Sequence, residues 1–297
     1  IIRNIKNIQE EYIMKKVVKI MSVVLAILMI AGCFAACGNT EKVTAKVIDI
    51  ELTEEKYAFG VDKTQPELLE KVNAFIAEIK ANGKMDEIFN HYFGDGTPVA
   101  ITSAVEDSSK DQLVVATNAE FPPFEYTEGE QYLGVDMEIA KLLADYLGKE
   151  LVIKNMDFDA VCLSVGQQKC DIAMAGLTID PKREENVTFS DSYYQASQKL
   201  IVRSDDTKFD ECKTADDVLN VLKTFDSKTT IGFQTGTTGQ QYSENKGDYE
   251  SNGLKLSTKP YQSAVLAVQD MLHGNLDYVI VDAAPAASIT ASINGTK

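Results

Sequence analysis

Two charged residues lie in sequence surroundings that suggest binding chemistry. Asp282 ends the apolar run Tyr278–Val281, and a buried carboxylate is costly unless it has a cationic or hydrogen-bonding partner. Arg183 carries a planar guanidinium that matches a carboxylate, although Glu184 and Glu185 beside it also fit an ordinary surface charge. Asp282 equally fits the cap of a following helix. The two residues are therefore a candidate ammonium binder and a candidate carboxylate binder.

A segment rich in threonine and glycine offers uncharged hydrogen-bond donors. The run Gly236-Thr237-Thr238-Gly239 combines hydroxyl groups with backbone N–H groups that a turn exposes, and Thr178 offers one more hydroxyl. The same run also fits a plain turn that binds nothing. The two histidines, His91 and His273, lie in predicted helices outside these segments, and we interpret them as surface or structural residues.

The remaining composition argues against a metal centre and against a polyanionic partner. Cys162, Cys170 and Cys212 form no C-x-x-C pair and have no nearby pair of histidines, which disfavours zinc. One disulfide among them is possible, but free thiols fit the odd number better. The net charge of −16 disfavours nucleic acid, because neutralising phosphates needs a basic face. We therefore expect no metal, no cofactor and no nucleic-acid partner.

The amino-terminal segment is typical of an exported precursor. A basic stretch that begins at Met14 precedes the uncharged run Ile20–Ile30, which is short for a spanning helix of about 20 residues. Small residues then precede Cys33 and Cys37 as in a bacterial lipobox, where two lipid chains would anchor the protein stably to the cell membrane. We expect residues 1–13 to be a non-native upstream extension, 14–36 a lipoprotein signal peptide and 37–45 a tether, with Cys37 (or Cys33) lipidated.

Apolar patterns alternate between strand and helix periods along the rest of the chain. Strand patterns occur at 113–117, 151–153, 230–233 and 277–281, and helical stripes such as Val135–Leu147 lie between them. This alternation predicts an α/β fold with largely parallel sheets. Two such groups of strands and helices, with one passage of the chain between them, predict two lobes. Small ligands usually bind at a lobe interface, beside the carboxyl ends of strands.

Four segments now resemble one protein family. They are Ala116–Tyr126, Met156–Asp159, Ala175–Tyr194, and Gly232–Gly239 together with Val279–Asp282. In this order they closely resemble the amino-acid-binding, family 3 type of bacterial extracellular solute-binding proteins. The resemblance covers nearly all of the chain after the export signal. It implies a two-lobed, type II periplasmic-binding-protein-like clamp outside the cytoplasm that serves an ABC transporter.

The resemblance also implies a set of site residues. An amino-acid zwitterion needs a cation for its carboxylate and an anion for its ammonium, which are the roles of Arg183 and Asp282. Two aromatic rings would flank the ligand side chain and two amides would face its tip, although both rings also fit a plain core. The implied set, which contains no catalytic member, is Asn118, Phe121, Phe158, Gly176, Thr178, Arg183, Gln234, Thr238 and Asp282.

The residues at the tip suggest which amino acid is bound. Asn118 and Gln234 are neutral and can both donate and accept, which predicts an uncharged polar L-amino acid. Glu120 is the alternative, since it could turn inward and supply a charge for a cationic ligand. A cyclohexadienyl-dehydratase-like enzyme would need a general acid or base, and Asp282 is already assigned to the ammonium. A sensor or adhesion module is the other alternative, and our expectation is a non-enzymatic monomer that delivers its ligand to a permease.

The order of the segments departs from the family. Residues 46–94 resemble the return strand and two helices that end the family's chain, yet here they stand first. We therefore predict a circular permutation, in which the linker 95–111 joins the original termini, because domain termini tend to lie close together. A fragment of two neighbouring genes is the alternative. The expected lobes are 55–98 plus 110–203 for the first and 46–54 plus 204–297 for the second.

Overall fold

The computed structural model describes residues 43–296, and two five-stranded sheets organise this part of the chain. The strands are β1 (Ala45–Ile48), β2 (Glu55–Tyr57), β3 (Gly60–Asp62), β4 (Gln112–Thr117), β5 (Glu120–Phe121), β6 (Glu125–Glu128), β7 (Gln131–Leu133), β8 (Glu150–Asn155), β9 (Ile172–Ala173), β10 (Val187–Phe189), β11 (Tyr194–Ala196), β12 (Gln198–Arg203), β13 (Thr230–Gln234), β14 (Ser257–Tyr261) and β15 (Tyr278–Asp282). The α-helices are α1 (Pro66–Ala81), α2 (Lys84–Phe93), α3 (Val135–Leu147), α4 (Phe158–Gly166), α5 (Ala215–Lys223), α6 (Thr238–Ser243), α7 (Ala264–Leu272) and α8 (Ala283–Asn294).

The described residues exclude most of the segments that were expected to direct the protein to the membrane. No helix within residues 43–296 is long and apolar enough to cross a membrane. The upstream extension, the signal peptide and the lipidation sites Cys33 and Cys37 lie outside the described residues, as does most of the tether.

The first sheet has the strand order β10-β3-β9-β4-β8. Strand β4 pairs in parallel with β8 and with β9, whereas β3 runs antiparallel to its neighbours β9 and β10. Leu113 and Val115 of β4 join a large buried apolar cluster that includes Phe75 of α1 and Met137 of α3. Burial of this apolar surface is the main force that holds the helices on the sheet.

The second sheet has the strand order β1-β12-β15-β13-β14. Strand β13 pairs in parallel with β14 and β15, whereas β12 runs antiparallel to β15 and to the edge strand β1. Residues Tyr278–Asp282 of β15 are all buried, as expected for a central strand covered on both faces. The predicted α/β fold is confirmed. The sheets were expected to be largely parallel, but each contains two parallel and two antiparallel pairings.

A short antiparallel pair, β2 with β11, connects the two sheets and places Tyr57 opposite Tyr194 and Glu55 opposite Ala196. The chain passes from the second sheet to the first between β1 and β3. The other crossing differs from expectation. Strand β12 was expected in the first lobe up to Arg203, but it pairs with β1 and β15 in the second sheet. The reason is its apolar stretch Leu200–Val202, which is fully buried between those strands.

Residues 45–94 are part of both sheets. Strand β1 forms the edge of the second sheet, and β3 lies inside the first. Helix α1 begins with Pro66 in its first turn and buries four apolar residues at helical spacing, Val72, Phe75, Ile76 and Ile79. Helix α2 contacts α3 through His91, whose Nδ1 lies 3.0 Å from Glu138 Oε2. His91 is therefore structural, as predicted.

The linker 95–111 runs along the edge of the first sheet. Ile101 forms an isolated antiparallel bridge with Tyr132, and its side chain is buried. Ala104 donates its N–H to the Leu151 carbonyl at 2.8 Å, and Ile153 N–H donates to Ser103 Oγ at 2.8 Å. The Leu151 carbonyl and the Ile153 N–H both belong to β8, so the linker forms hydrogen bonds with backbone groups on the outer side of this edge strand.

Candidate ligand-binding site

The sequence-predicted residues come together between the two sheets. Asn118 and Thr178 follow strands β4 and β9 of the first sheet, whereas Gln234 and Asp282 are the last residues of β13 and β15 in the second. Carboxyl ends of parallel strands are the usual position of ligand sites in α/β proteins. The structure therefore places chain segments that lie far apart in sequence at one common region.

The Arg183 side chain is held by acceptors from both halves of the molecule. Its Nη1 donates to the Thr178 carbonyl at 2.7 Å, and its Nη2 donates to the Gly236 carbonyl at 3.2 Å. The guanidinium carbon lies 5.2 Å from the centroid of the Phe158 ring, within the range of a cation–π interaction. Arg183 is therefore a fixed, partly buried cation rather than a freely solvated surface charge.

Asp282 lies at the start of helix α8, but its side chain does not cap that helix. Its Oδ1 instead accepts a hydrogen bond from the Tyr57 hydroxyl at 2.7 Å, and the residue is only 6% exposed. Burial raises the pKa of Asp282 to about 7, and the nearby charge of Glu55 adds to the increase. The sequence allowed Asp282 to be either an ammonium binder or a helix cap, and the structure excludes the helix cap.

Glu55 is a site residue that the sequence did not reveal. This carboxylate is 5% exposed; its Oε2 accepts from Thr178 Oγ1 and its Oε1 from Thr53 Oγ1, each at 2.6 Å. The sequence Glu55-Lys56-Tyr57 has no apolar–polar alternation that could have revealed it, although the three side chains are buried, exposed and buried in the structure. Its burial results from the pairing of β2 with β11.

Asn118 and Gln234 contact each other directly from opposite sheets. Gln234 Nε2 donates to Asn118 Oδ1 at 2.8 Å, and Asn118 Nδ2 donates to the Met156 carbonyl at 2.8 Å. Both side chains are at least 95% buried. The two amides were predicted to face the tip of the ligand side chain, and in this structure they form an uncharged polar contact with each other.

Phe121 and Gly176 fit closely together in the first half of the site. Gly176 has φ +54, and a Cβ atom added there would lie 3.0 Å from Phe121 Cε1. Its N–H donates to Asp136 Oδ2 at 2.9 Å, while Asp136 Oδ1 accepts from the Tyr193 hydroxyl at 2.6 Å. A glycine is therefore required at this position for both conformation and space.

The Gly236–Gly239 run forms a turn that begins helix α6. Thr237 caps the helix, since its Oγ1 accepts from Gln240 N–H at 3.3 Å and donates to the Gln234 carbonyl at 2.7 Å. Thr238 is the first helical residue and is 7% exposed. The sequence did not predict this capping role of Thr237, and Thr238 borders a cavity of about 330 Å³.

Two cavities open between the halves. One of about 420 Å³ is bordered by Phe158, Leu177, Arg183 and Gly236. The other, of about 330 Å³, is bordered by Glu55, Thr178 and Thr238. Four of the predicted site residues, Phe158, Thr178, Arg183 and Thr238, thus line spaces of the size that small-molecule ligands occupy. The other five border neither of these two cavities: Asn118, Phe121, Gly176, Gln234 and Asp282.

Two further carboxyl groups lie behind the site without a cationic partner. Glu125 is fully buried, and neither of its carboxyl oxygens has a hydrogen-bond partner among the described residues. Burial, followed by the charges of Asp136 and Asp282, raises the pKa of Glu125 well above its usual range. Burial also raises the pKa of Asp136 to about 7. Neither was assigned a role from the sequence, although Glu125 lies in the recognised segment Ala116–Tyr126 and Asp136 in the predicted helix Val135–Leu147.

Metal and thiol chemistry have little structural support. Within residues 43–296, no group of three His, Cys, Asp or Glu side chains is arranged to hold a metal ion. Cys162, Cys170 and Cys212 are free, as predicted. Burial raises the pKa of the Cys162 and Cys170 thiols, which disfavours the reactive thiolate form.

Known proteins share this sequence pattern and fold. The model of the bacterial extracellular solute-binding proteins, family 3, matches residues 4–95 and 113–280. The arginine-binding extracellular protein ArtP of Bacillus subtilis (strain 168) is 28% identical over 186 residues, which cover 63% of this chain and 67% of that protein. The ABC transporter arginine-binding protein 1 of Escherichia coli (strain K12) is 29% identical over 180 residues, which cover 60% of this chain and 65% of that protein. The chain spans about two thirds of the length of these relatives.

A solved structure gives the same result at the level of the fold. The ancestral amino acid-binding protein AncCDT-1, a precursor of cyclohexadienyl dehydratase, is 27% identical and superposes with a TM-score of 0.54. The superposition covers 62% of this chain and 76% of that one. Since the family model matches most of the sequence and the fold agrees, this chain belongs to the bacterial extracellular solute-binding proteins, family 3.

Proposed function

We propose that this chain captures a free L-amino acid between its two halves, outside the cytoplasm, and delivers it to the permease of an ABC transporter. The observation that carries the proposal is a fixed guanidinium, Arg183, near enough to the buried carboxylate of Asp282 for its charge to lower the pKa of that group. These are the opposite charges that a zwitterion requires. The relatives named as arginine-binding proteins, one of them an ABC transporter protein, support the same class of ligand.

Each end of the ligand has a proposed partner. Arg183 pairs with the ligand carboxylate through its planar fork, and the hydroxyls of Thr178 and Thr238 add hydrogen bonds. Asp282 pairs with the ammonium. Phe121 and Phe158 flank the ligand side chain, and Gly176 leaves room for the first of these rings.

We further propose that the ligand side chain is uncharged and polar. Asn118 and Gln234 together provide donors and acceptors but no charge, and they are buried. A cationic side chain would lose its hydration there without a counter-ion, which is costly. Glu120, the residue that could supply such a charge, is exposed to solvent.

An arginine ligand is the second candidate, because the relatives are named for arginine and several acidic residues border the cleft. Asp159, Asp180 and Asp248 border the cavity of about 420 Å³. A thermal-shift screen of the twenty amino acids, followed by calorimetry, tests both candidates. Strongest binding by serine, threonine, asparagine or glutamine supports the proposal, whereas strongest binding by arginine or lysine rejects it and leaves amino-acid binding intact.

Binding without catalysis is part of the proposal. Asp282 is the titratable group closest to the proposed ligand ammonium, and it accepts from Tyr57 rather than pointing at a proton to be transferred. Mass spectrometry of the amino acid recovered after long incubation with the protein tests this point. An unchanged mass is expected, and loss of water or carbon dioxide from the ligand would contradict it.

Membrane attachment through a lipid on Cys37, or on Cys33, remains part of the proposal. Cells that express the chain should incorporate labelled palmitate into it. Replacement of Cys37 by alanine should abolish the label if Cys37 is the acceptor, with Cys33→Ala as the matched control. The proposed mature protein is a monomer, which sedimentation analysis can test.

We also propose that the chain is a circular permutation of the family fold. Residues 45–94 supply strands to both sheets, and the segment 95–111 connects them to β4 over the surface of the first sheet. A rearranged chain with residues 43–94 moved behind residue 297 should fold and bind its amino acid with similar affinity. Independent folding and binding by residues 110–297 alone would contradict the proposal.

A further inference from the structure

One carboxylate of the first half forms a hydrogen bond with a helix of the second half. Asp180 lies between β9 and the 3₁₀ helix Arg183–Glu185, and its Oδ2 accepts from Gln241 Nε2 of α6 at 2.9 Å. Its other oxygen, Oδ1, accepts from the N–H groups of Lys182 and Arg183, at 2.8 Å and 3.2 Å. Asp180 therefore fixes the backbone that carries Arg183 and, through Gln241, joins it to the second half.

The Arg183 side chain makes a second contact between the same two parts of the molecule. Its Nη2 donates to the Gly236 carbonyl at 3.2 Å. Gly236 begins the turn that leads into α6, and its N–H donates to Gln240 Oε1 of that helix at 2.8 Å. The turn and the helix are thereby tied together, and Asp180 and Arg183 hold them at two points.

The backbones of the two halves approach closely beside these hydrogen bonds. Gly236 has φ +81, and a Cβ atom added there would lie 3.1 Å from Asp159 Cβ and 3.2 Å from Asp159 Cα. Asp159 belongs to α4, which packs on the first sheet. This approach requires a glycine for both conformation and space. The two hydrogen bonds across the cleft therefore form only when the halves lie against each other.

The hydrogen bond between Asp180 and Gln241 also lies between the two cavities. Both residues border the cavity of about 420 Å³ and the cavity of about 330 Å³, as does Asp248. Arg183 borders the first cavity, whereas Thr178 borders the second. The bond is therefore part of the wall that both spaces share, next to the proposed partners of the ligand carboxylate.

We propose that the hydrogen bond between Asp180 and Gln241 is a gate, which forms when the halves close on an amino acid and must break before the amino acid leaves. This inference rests on the proposed function. Asp180 and Gln241 act as positioning residues, since neither has to touch the ligand. Because the bond forms after the ligand has entered, it slows release and has little effect on the rate of entry.

Removal of the Gln241 side chain tests the gate. Gln241→Ala breaks the bond across the cleft and leaves in place the two backbone hydrogen bonds that Asp180 accepts. The dissociation rate constant should rise about tenfold, because a hydrogen bond to a charged acceptor is lost, and the association rate constant should change less than about twofold. Gln131→Ala is the control, since Gln131 is an exposed glutamine in β7.

Two further substitutions separate loss of the bond from loss of folding. Gln241→Glu keeps the size and the helix propensity of the side chain but brings two carboxylates together, so release should be accelerated at least as much as in Gln241→Ala. Asp180→Asn can still accept from the backbone and pair with the Gln241 amide, so its dissociation rate constant should stay within about threefold of the native value. Thermal unfolding of each variant shows whether it is folded.

Stopped-flow fluorescence on the full chain, with L-glutamine and with L-arginine as probes, measures both rate constants. The chain contains 12 tyrosines and no tryptophan, so intrinsic tyrosine emission is the signal. Calorimetry with the same probes gives the dissociation constant, which should agree with the ratio of the two rate constants.

The outcomes separate the gate from the proposed function. Faster release by Gln241→Ala and Gln241→Glu, with Asp180→Asn close to the native protein, supports the gate. An unchanged dissociation rate constant in Gln241→Ala, or a loss of affinity that comes from slower association, would overturn the gate and leave amino-acid binding in place. If none of the twenty amino acids binds the native protein, the proposed function is rejected and the gate with it.

Discussion

The two ends of the proposed site differ in charge and in the origin of their side chains. The end that receives the ligand's charged groups contains Arg183, Asp282 and Glu55, and it lies where the chain crosses between the sheets. The end at the side-chain tip contains Asn118 and Gln234, which are neutral and contact each other. Every amino acid carries the same charged groups, so the first end defines the class of ligand. The second end can only discriminate within that class.

Removal of the Arg183 side chain should weaken ligand binding more than any other substitution at the two ends of the site. Arg183→Ala leaves a desolvated ligand carboxylate unpaired, which should weaken binding by about 2–5 kcal/mol. Calorimetry measures the loss, and Lys182→Ala serves as a control because Lys182 is exposed beside it. A loss of less than tenfold would reject Arg183 as the carboxylate partner.

Neutralising Asp282 should weaken ligand binding less than removal of Arg183. Asp282→Asn retains an acceptor for Tyr57 but replaces an ion pair with an uncharged contact to the ammonium, worth roughly 1.5–3 kcal/mol. Titration at about pH 8, where the native carboxylate is ionised, gives the cleanest comparison. If the variant binds as tightly as the native protein there, the ammonium is held elsewhere.

A substitution at the end of the site that faces the ligand side chain should change which amino acid is preferred, rather than the affinity for all amino acids. Asn118→Asp introduces a carboxylate at a buried position, which should favour arginine and lysine over glutamine by about tenfold relative to the native protein. Competition experiments with labelled amino acids measure this ratio. An equal weakening for all amino acids would indicate that Asn118 acts on the fold and does not contact the ligand side chain.

The last prediction concerns the stability of the fold, through the close contact of Gly176 with Phe121 in the first half of the site. Gly176→Ala forces a non-glycine residue into φ +54 and brings its Cβ to 3.0 Å from Phe121 Cε1, which should cost about 1–3 kcal/mol of unfolding free energy. Gly148→Ala is the matched control, because Gly148 has φ +71 and no atom lies within 4 Å of the added Cβ. Urea denaturation should show a larger loss for Gly176→Ala. Equal losses would mean that the contact with Phe121 is easily relieved.

The helices and central strands could be predicted from sequence because their apolar periods are long. Helix α3 lies at Val135–Leu147 as predicted and ends at Gly148, a glycine with φ +71. In contrast, the three-stranded sheet β5-β6-β7 escaped prediction, since its strands have two to four residues and little alternation. Strand β12 was recognised in part and assigned to the wrong lobe, because a strand's sequence does not specify its partner.

Prediction of the candidate site was limited in the same way, because sequence does not specify which strands pair. Residues within recognisable motifs, such as Arg183 and Asp282, could be named because the family resemblance carries them. Glu55 could not, since its burial depends on strand pairing between residues 55 and 196, far apart in the chain. Glu125 was inside a recognised motif and still lacked an assigned role, because the sequence does not show that both its oxygens are unpaired.

The linker along β8 has a consequence for the behaviour of the protein in solution. Strand β8 is the last strand of its sheet, and an uncovered edge strand can pair with the edge of another molecule. The Ile153 N–H donates to Ser103 Oγ and the Leu151 carbonyl accepts from the Ala104 N–H, so backbone groups that such pairing would use are already occupied. The segment that connects residues 45–94 to the rest of the chain therefore also opposes self-association, and a shortened linker should promote aggregation at high protein concentration.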